Sequence, residues 1–185
     1  MVKDKKEMKT VKVLVHAALL LIALFVIAFV SRIFTGYFDH VAVVHAILVA
    51  PFNAFVGAFY LRYFRMMTPL AIALLALSLV LGMMSWQMAI GFFVPMVVMV
   101  LVWQALNSKR QVGPFVAGFV LGSFPYLTLI IIAMATGGLT FFSGDITQIL
   151  YLLIALGLAF VGALAGGMVA HRIQARRKEA VEVAD

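Results

Sequence analysis

The side chains able to do chemistry in this chain are few, and one short stretch holds several of them. Residues 31–46, SRIFTGYFDHVAVVHA, carry Arg32, Tyr37, Asp39, His40 and His45 between two apolar runs. A guanidinium at such a place suits a carboxylate-bearing ligand, because its planar fork matches two oxygens. His40 and His45 are five residues apart, which on a helix sets them about 140° apart, a poor joint metal site. A second region offers Met83, Met84, Ser85, Trp86, Gln87 and Met88. A third offers Thr136, Thr140, Phe141, Phe142, Ser143, Asp145 and Gln148, with Tyr126 and Thr128 before it. Aromatic walls with a few polar groups are the composition of a small-molecule pocket. Aromatics at the ends of apolar runs are equally the composition of a membrane-interface belt, so Tyr37, Trp86 and Phe141 admit both readings. Histidine with methionine is also a ligand chemistry of haem iron, which makes His40 or Met84 a possible axial ligand if haem were bound. Methionine as a flexible apolar filler is the plainer account.

The rest of the chain says what must position these groups. Of 185 residues, 65% are hydrophobic and 11% charged, too few charges to cover a soluble domain of this size. The expected fold class is therefore an all-α integral membrane protein, with six transmembrane helices in one bundle and both termini cytoplasmic. Six apolar segments run over about 12–34, 41–61, 67–85, 87–106, 113–137 and 146–171, each near the ~17–25 residues a span needs. The break between the third and fourth is short and uncharged, so a kinked single helix is the other reading there. No small-residue cleavage site follows the first run, which is expected to remain as a helix. The domain division is a basic segment 1–11, a six-helix domain 12–172 and a charged tail 173–185.

Charge sets the orientation. With six spans, 13 of the 14 Lys and Arg fall on one side: Lys3, Lys5, Lys6, Lys9, Lys12, Arg62, Arg65, Lys109, Arg110, Arg172, Arg176, Arg177 and Lys178. That side is cytoplasmic by the positive-inside rule. The basic ends then contact anionic lipid headgroups rather than nucleic acid. Arg32, Asp39 and Asp145 are left at the outer face.

Catalytic sets are missing from the sequence. It contains no HExxH, no GxSxG, no phosphate-binding loop and no cysteine. No carboxylate falls within an apolar run, whereas pumps and proton-coupled carriers keep ionisable groups at mid-membrane. The chain is therefore expected not to be an enzyme and not to couple energy by itself. Pro51, Pro69, Pro95 and Pro125 interrupt or start spans, with Asn53 just after the first, and such breaks are tolerated beside a cavity or a neighbouring helix. Small residues recur every four positions at Ala42, Ala46, Ala50, Ala54 and Ala58, and again at Ala155, Ala159, Ala163 and Gly167. Such stripes serve close helix packing within a bundle or docking of another membrane subunit.

Three stretches carry a resemblance: KTVKVLVHAALLLIALFVIAFV, AILVAPFNAFVGAFYLRYFRMMTPLAIALLALSLVLGMM and GALAGGMVAHRIQARRK. The chain resembles the substrate-binding S-components of energy-coupling-factor (ECF) transporters, and the second stretch looks like their MptD-like group. The resemblance implies a multi-pass protein of the bacterial cell membrane that captures a vitamin, metal or related micronutrient from outside. It implies association with a transmembrane coupling subunit and two ATPase subunits, as part of an ABC importer. Arg32, Tyr37, Asp39, His40, Met84, Trp86, Gln87, Tyr126, Phe141 and Asp145 would then line the pocket, with haem or another tetrapyrrole as the single best cargo and no intrinsic cofactor. Many S-components dock through an Ala-xxx-Ala pair in the first helix, which Ala17, Ala18, Ala23 and Ala28 do not form. The docking face is therefore expected on Ala46, Ala50, Ala54 and Ala58 or on Ala163 and Gly167. A non-catalytic structural or assembly subunit of another membrane complex is the alternative.

Overall fold

A computed structural model describes residues 2–35, 41–83, 86–106, 112–136 and 146–182. Six helices follow one another: α1 (Val2–Thr35), α2 (Val41–Phe64), α3 (Met67–Gly82), α4 (Trp86–Leu106), α5 (Val112–Thr136) and α6 (Ile146–Glu182). No strand occurs among the described residues. Five helices, all but α3, are long and apolar enough to cross a membrane. With 16 residues α3 is about 24 Å long at 1.5 Å per residue, shorter than the ~30 Å hydrocarbon core. Helix α1 already begins at Val2 within the basic segment, and α6 runs on to Glu182 within the charged tail.

The third and fourth segments are two helices and not one kinked helix. Ser78 Oγ donates to the Ala89 carbonyl at 2.7 Å, which sets α3 and α4 side by side. A Cβ on Gly82 would lie 3.1 Å from that of Ala89, so the hairpin closes on small residues. The turn between α2 and α3 is equally tight. Arg65 takes the left-handed region at φ 56°, its N–H donates to the Leu61 carbonyl at 3.1 Å, and Met66 is extended. That pair reverses the chain in two residues.

The prolines fit by position. Pro69 and Pro114 sit in the first turns of α3 and α5, where a helix has no use for the N–H. Pro51, Pro95 and Pro125 lie inside helices, as tight packing by neighbours in a membrane permits.

Helix α2 is the hub. Gly162 and Gly166 of α6 lie against the carbonyls of Pro51 and Phe55, so closely that a Cβ at either would overlap backbone. Gly118 and Gly122 of α5 do the same against Ala58 and Ala50, where a Cβ would come 2.5 Å from the Ala58 nitrogen and the Ala50 oxygen. Numbers rise together between α2 and α6 and run oppositely between α2 and α5. The first pair is thus parallel and the second antiparallel. A larger apolar layer of Leu20, Leu24, Leu61, Leu70, Leu74, Leu77, Met99, Trp103 and Leu121 joins α1 to α5 beside this seam.

Trp103 is 6% exposed and takes the Arg65 guanidinium over its ring at 5.3 Å. Trp103→Ala should cost about 3 kcal/mol in detergent unfolding, mostly through the cavity left behind. An unchanged midpoint would show that the layer can collapse into the space.

Candidate functional site

One end of the bundle gathers the basic groups. His16 of α1 meets Tyr60 of α2 at 3.0 Å between Nδ1 and Oη, and its ring stands edge-on to Phe64 at 4.7 Å. Gln174 of α6 donates to the Arg62 and Tyr63 carbonyls at 3.1 and 3.3 Å, satisfying acceptors that a helix end leaves open. The start of α1, the end of α2 and the end of α6 therefore share one end of the molecule. Lys9, Lys12, Arg62, Arg65, Arg172, Arg176 and Arg177 all belong to it, and Arg32 lies on α1 at the other. Sequence reasoning missed this knot of His16, Tyr60, Phe64 and Gln174, because it joins α1, α2 and α6 through contacts 44 and 112 positions apart in the chain. No local signal announces it.

The opposite end is where the pocket is expected. Tyr37, Asp39, His40, Met84, Phe141 and Asp145 lie outside the described residues, as does the side chain of Arg32. Trp86 opens α4 with its side chain 56% exposed, and Gln87 is half-buried beside it. Tyr126 of α5 is buried, packed with Val49 and Ala50 of α2 and Ala155 and Ala159 of α6. The structure thus sets Trp86 on the surface and Tyr126 in the seam. One groove among the described residues has a volume of about 280 Å³ and lies between α1 and α3. Its lining of Leu21, Ile22, Phe25, Leu77 and Val80 is wholly apolar, unlike the polar-dotted pocket expected from the loops.

The small-residue stripes have an occupant already. Ala50, Ala54, Ala58 and Ala163 are completely buried by the chain's own helices, and Gly167 is buried with the Arg62 guanidinium 4.0 Å from its Cβ position. The side chain of Ala46 lies outside the described residues. Ala50, Ala54, Ala58, Ala163 and Gly167 are thus not open for another subunit. The physical reason is that glycines of α5 and α6 let their backbones close on the same alanines.

One polar group in the seam stands apart. Asn53 is 4% exposed, and its Oδ1 has no hydrogen-bond partner. Two other buried hydroxyls have acceptors: Ser123 Oγ donates to the Phe119 carbonyl within its own helix and Ser78 Oγ to the Ala89 carbonyl across the α3–α4 hairpin, both at 2.7 Å.

No family model matches the chain, and no curated protein or solved structure does so either.

Proposed function

We propose that this protein is the substrate-capturing S-component of an ECF-type ABC importer. It binds a micronutrient or cofactor-like small molecule in a site open to the outer face. It delivers that molecule through a transmembrane coupling subunit driven by two ATPase subunits. The observation that carries the reading is a small helical bundle of membrane-span character whose basic groups gather at one end, with no carboxylate in any apolar run to couple an ion gradient. A transport subunit of this make-up needs energy from elsewhere. The six-span arrangement with both termini cytoplasmic belongs to the same proposal. It is supported by the shared end of α1 and α6 and by the cations there. The docking surface in this reading is a face other than the alanine stripes. A structural or assembly subunit is the second reading, favoured by the wholly apolar lining of the α1–α3 groove.

Affinity purification from host membranes in mild detergent, with mass spectrometry of proteins and small molecules, separates the two. Recovery of two ATPases, a coupling subunit and a retained small molecule is the expected result. A stable complex lacking ATPases would replace the proposal with the assembly reading. Arg32→Ala is expected to weaken binding of the retained molecule by about tenfold or more while membrane insertion persists, as loss of a charge-assisted contact does. Undiminished affinity would remove Arg32 from the site.

A further inference from the structure

Arg62 departs from the habit of cations at the end of a span. Such side chains reach outward, so that the charge leaves the hydrocarbon. Side chains on a helix lean toward its N-terminus, and α2 runs toward the basic end, so Arg62 leans into the bundle. Two contacts with α6 measure how far. Gln174 donates to the Arg62 carbonyl at 3.1 Å and so stands level with its backbone. The guanidinium lies instead at Gly167, with Nη1 4.0 Å from the Cβ position there. Gly167 comes seven residues before Gln174, on the same face and about 10 Å nearer the middle of the helix.

The protein brings no anion to that charge. Helices α2 and α5 contain no carboxylate, and α6 has none before Glu179, twelve residues past Gly167. Helix α1 carries Asp4 and Glu7, nine or more residues before His16. Among the described residues the guanidinium makes no hydrogen bond or ion pair. Nor is it sealed in. Arg62 is only half-buried, whereas Ala163, Gly166, Gly167 and Ala170 beneath it are buried. Gly167 is flanked on α6 by Leu164 and Met168, both exposed. A half-buried charge at this depth is costly unless an anion joins it.

We infer that the flank of α2 and α6 at Gly167 is a binding site for one anionic phospholipid from the leaflet at the basic end, its phosphate held by the Arg62 guanidinium. The planar fork of a guanidinium takes two phosphate oxygens at once. His171 stands on the same face of α6, four residues beyond Gly167, and its exposed ring supplies a further N–H. Phe160 and Leu164, both exposed, continue that face toward the middle of the membrane and offer a bed for an acyl chain. Exposed Arg172 and Arg176 at the same end favour a lipid of net negative charge over a zwitterionic one. The site seats one lipid on the bundle's flank, apart from the general attraction of the basic ends. It holds under either subunit reading above.

The test loads delipidated protein with phosphatidylglycerol or phosphatidylcholine in detergent and counts bound lipid by native mass spectrometry. The wild type is expected to keep one phosphatidylglycerol under activation that strips phosphatidylcholine. Arg62→Gln should need about tenfold more lipid for the same occupancy, as loss of a charge-assisted contact does. Gly167→Leu keeps every charge but fills the seat, since Arg62 is the one neighbour within 4 Å of a Cβ there among the described residues. It should lose binding to a similar degree, and it carries the test if the glutamine variant does not fold. Arg177→Gln, on the exposed tail, removes the same charge and should bind as the wild type does. Equal loss at 62 and 177 would reduce the site to the pull of a basic surface and overturn the inference. Undiminished binding in the Arg62 or Gly167 variant would overturn it too, as would equal retention of the two lipids. A wild type that keeps no lipid would overturn it and leave the guanidinium to a carboxylate of another subunit.

Discussion

Gly162→Ala is expected to cost about 3 kcal/mol of stability, and Gly162→Ala with Gly166→Ala to prevent folding. The cause is backbone, not side chain. At Gly162 the new Cβ would overlap the Pro51 carbonyl, and at Gly166 that of Phe55. Neither carbonyl can move without bending α2 or pushing α6 away. In lipid no hydrophobic force presses helices together, so the contact rests on close packing alone. Moving α6 outward would also loosen Ala159 and Ala163, now completely buried. Gly157 is the control. It lies on the same helix with nothing within 4 Å of its Cβ position, so Gly157→Ala should be neutral or stabilising by up to ~1 kcal/mol. Unfolding in mixed micelles, read by tryptophan fluorescence, measures all three. Equal effects at 157 and 162 would show that α2 and α6 do not pack through these glycines.

The second large effect concerns topology. The chain has no cysteine, so a single introduced cysteine reports one position without background. Cysteines at Lys9 and Arg176, both exposed, should react with a membrane-impermeant maleimide only in inverted vesicles. A cysteine at Ile33, exposed at the other end of α1, should react only in intact cells. The short helix α3 makes this decisive. If α3 fails to cross, five crossings remain, and positions 9 and 176 must label from opposite sides. The shared end of α1 and α6 argues for six, because His16 and Gln174 are both tied to the last turns of α2. A thinned bilayer or a tilted neighbour can accommodate a 16-residue helix at modest cost.

The division between what was legible and what was not follows from the range of the forces involved. Composition and run length place the chain in lipid, and all six expected segments are helices whose ends fall within a few residues of the predicted breaks, the basic extensions of α1 and α6 apart. Helix formation in a membrane is a local requirement, since each backbone group must be satisfied within its own segment. The alanine stripe was equally visible, but its use was not. Whether Ala50, Ala54 and Ala58 face a partner or the chain's own glycines depends on which helix lies beside α2, a matter of tertiary packing. Exposure is not written in residue type: of two aromatics read alike in the sequence, Trp86 lies on the surface and Tyr126 in the core. Asn53 was readable as a polar residue after a proline. Only the packed structure showed its oxygen to be without a donor, since a hydrogen bond is made or missed across helices, by neighbours the sequence does not place.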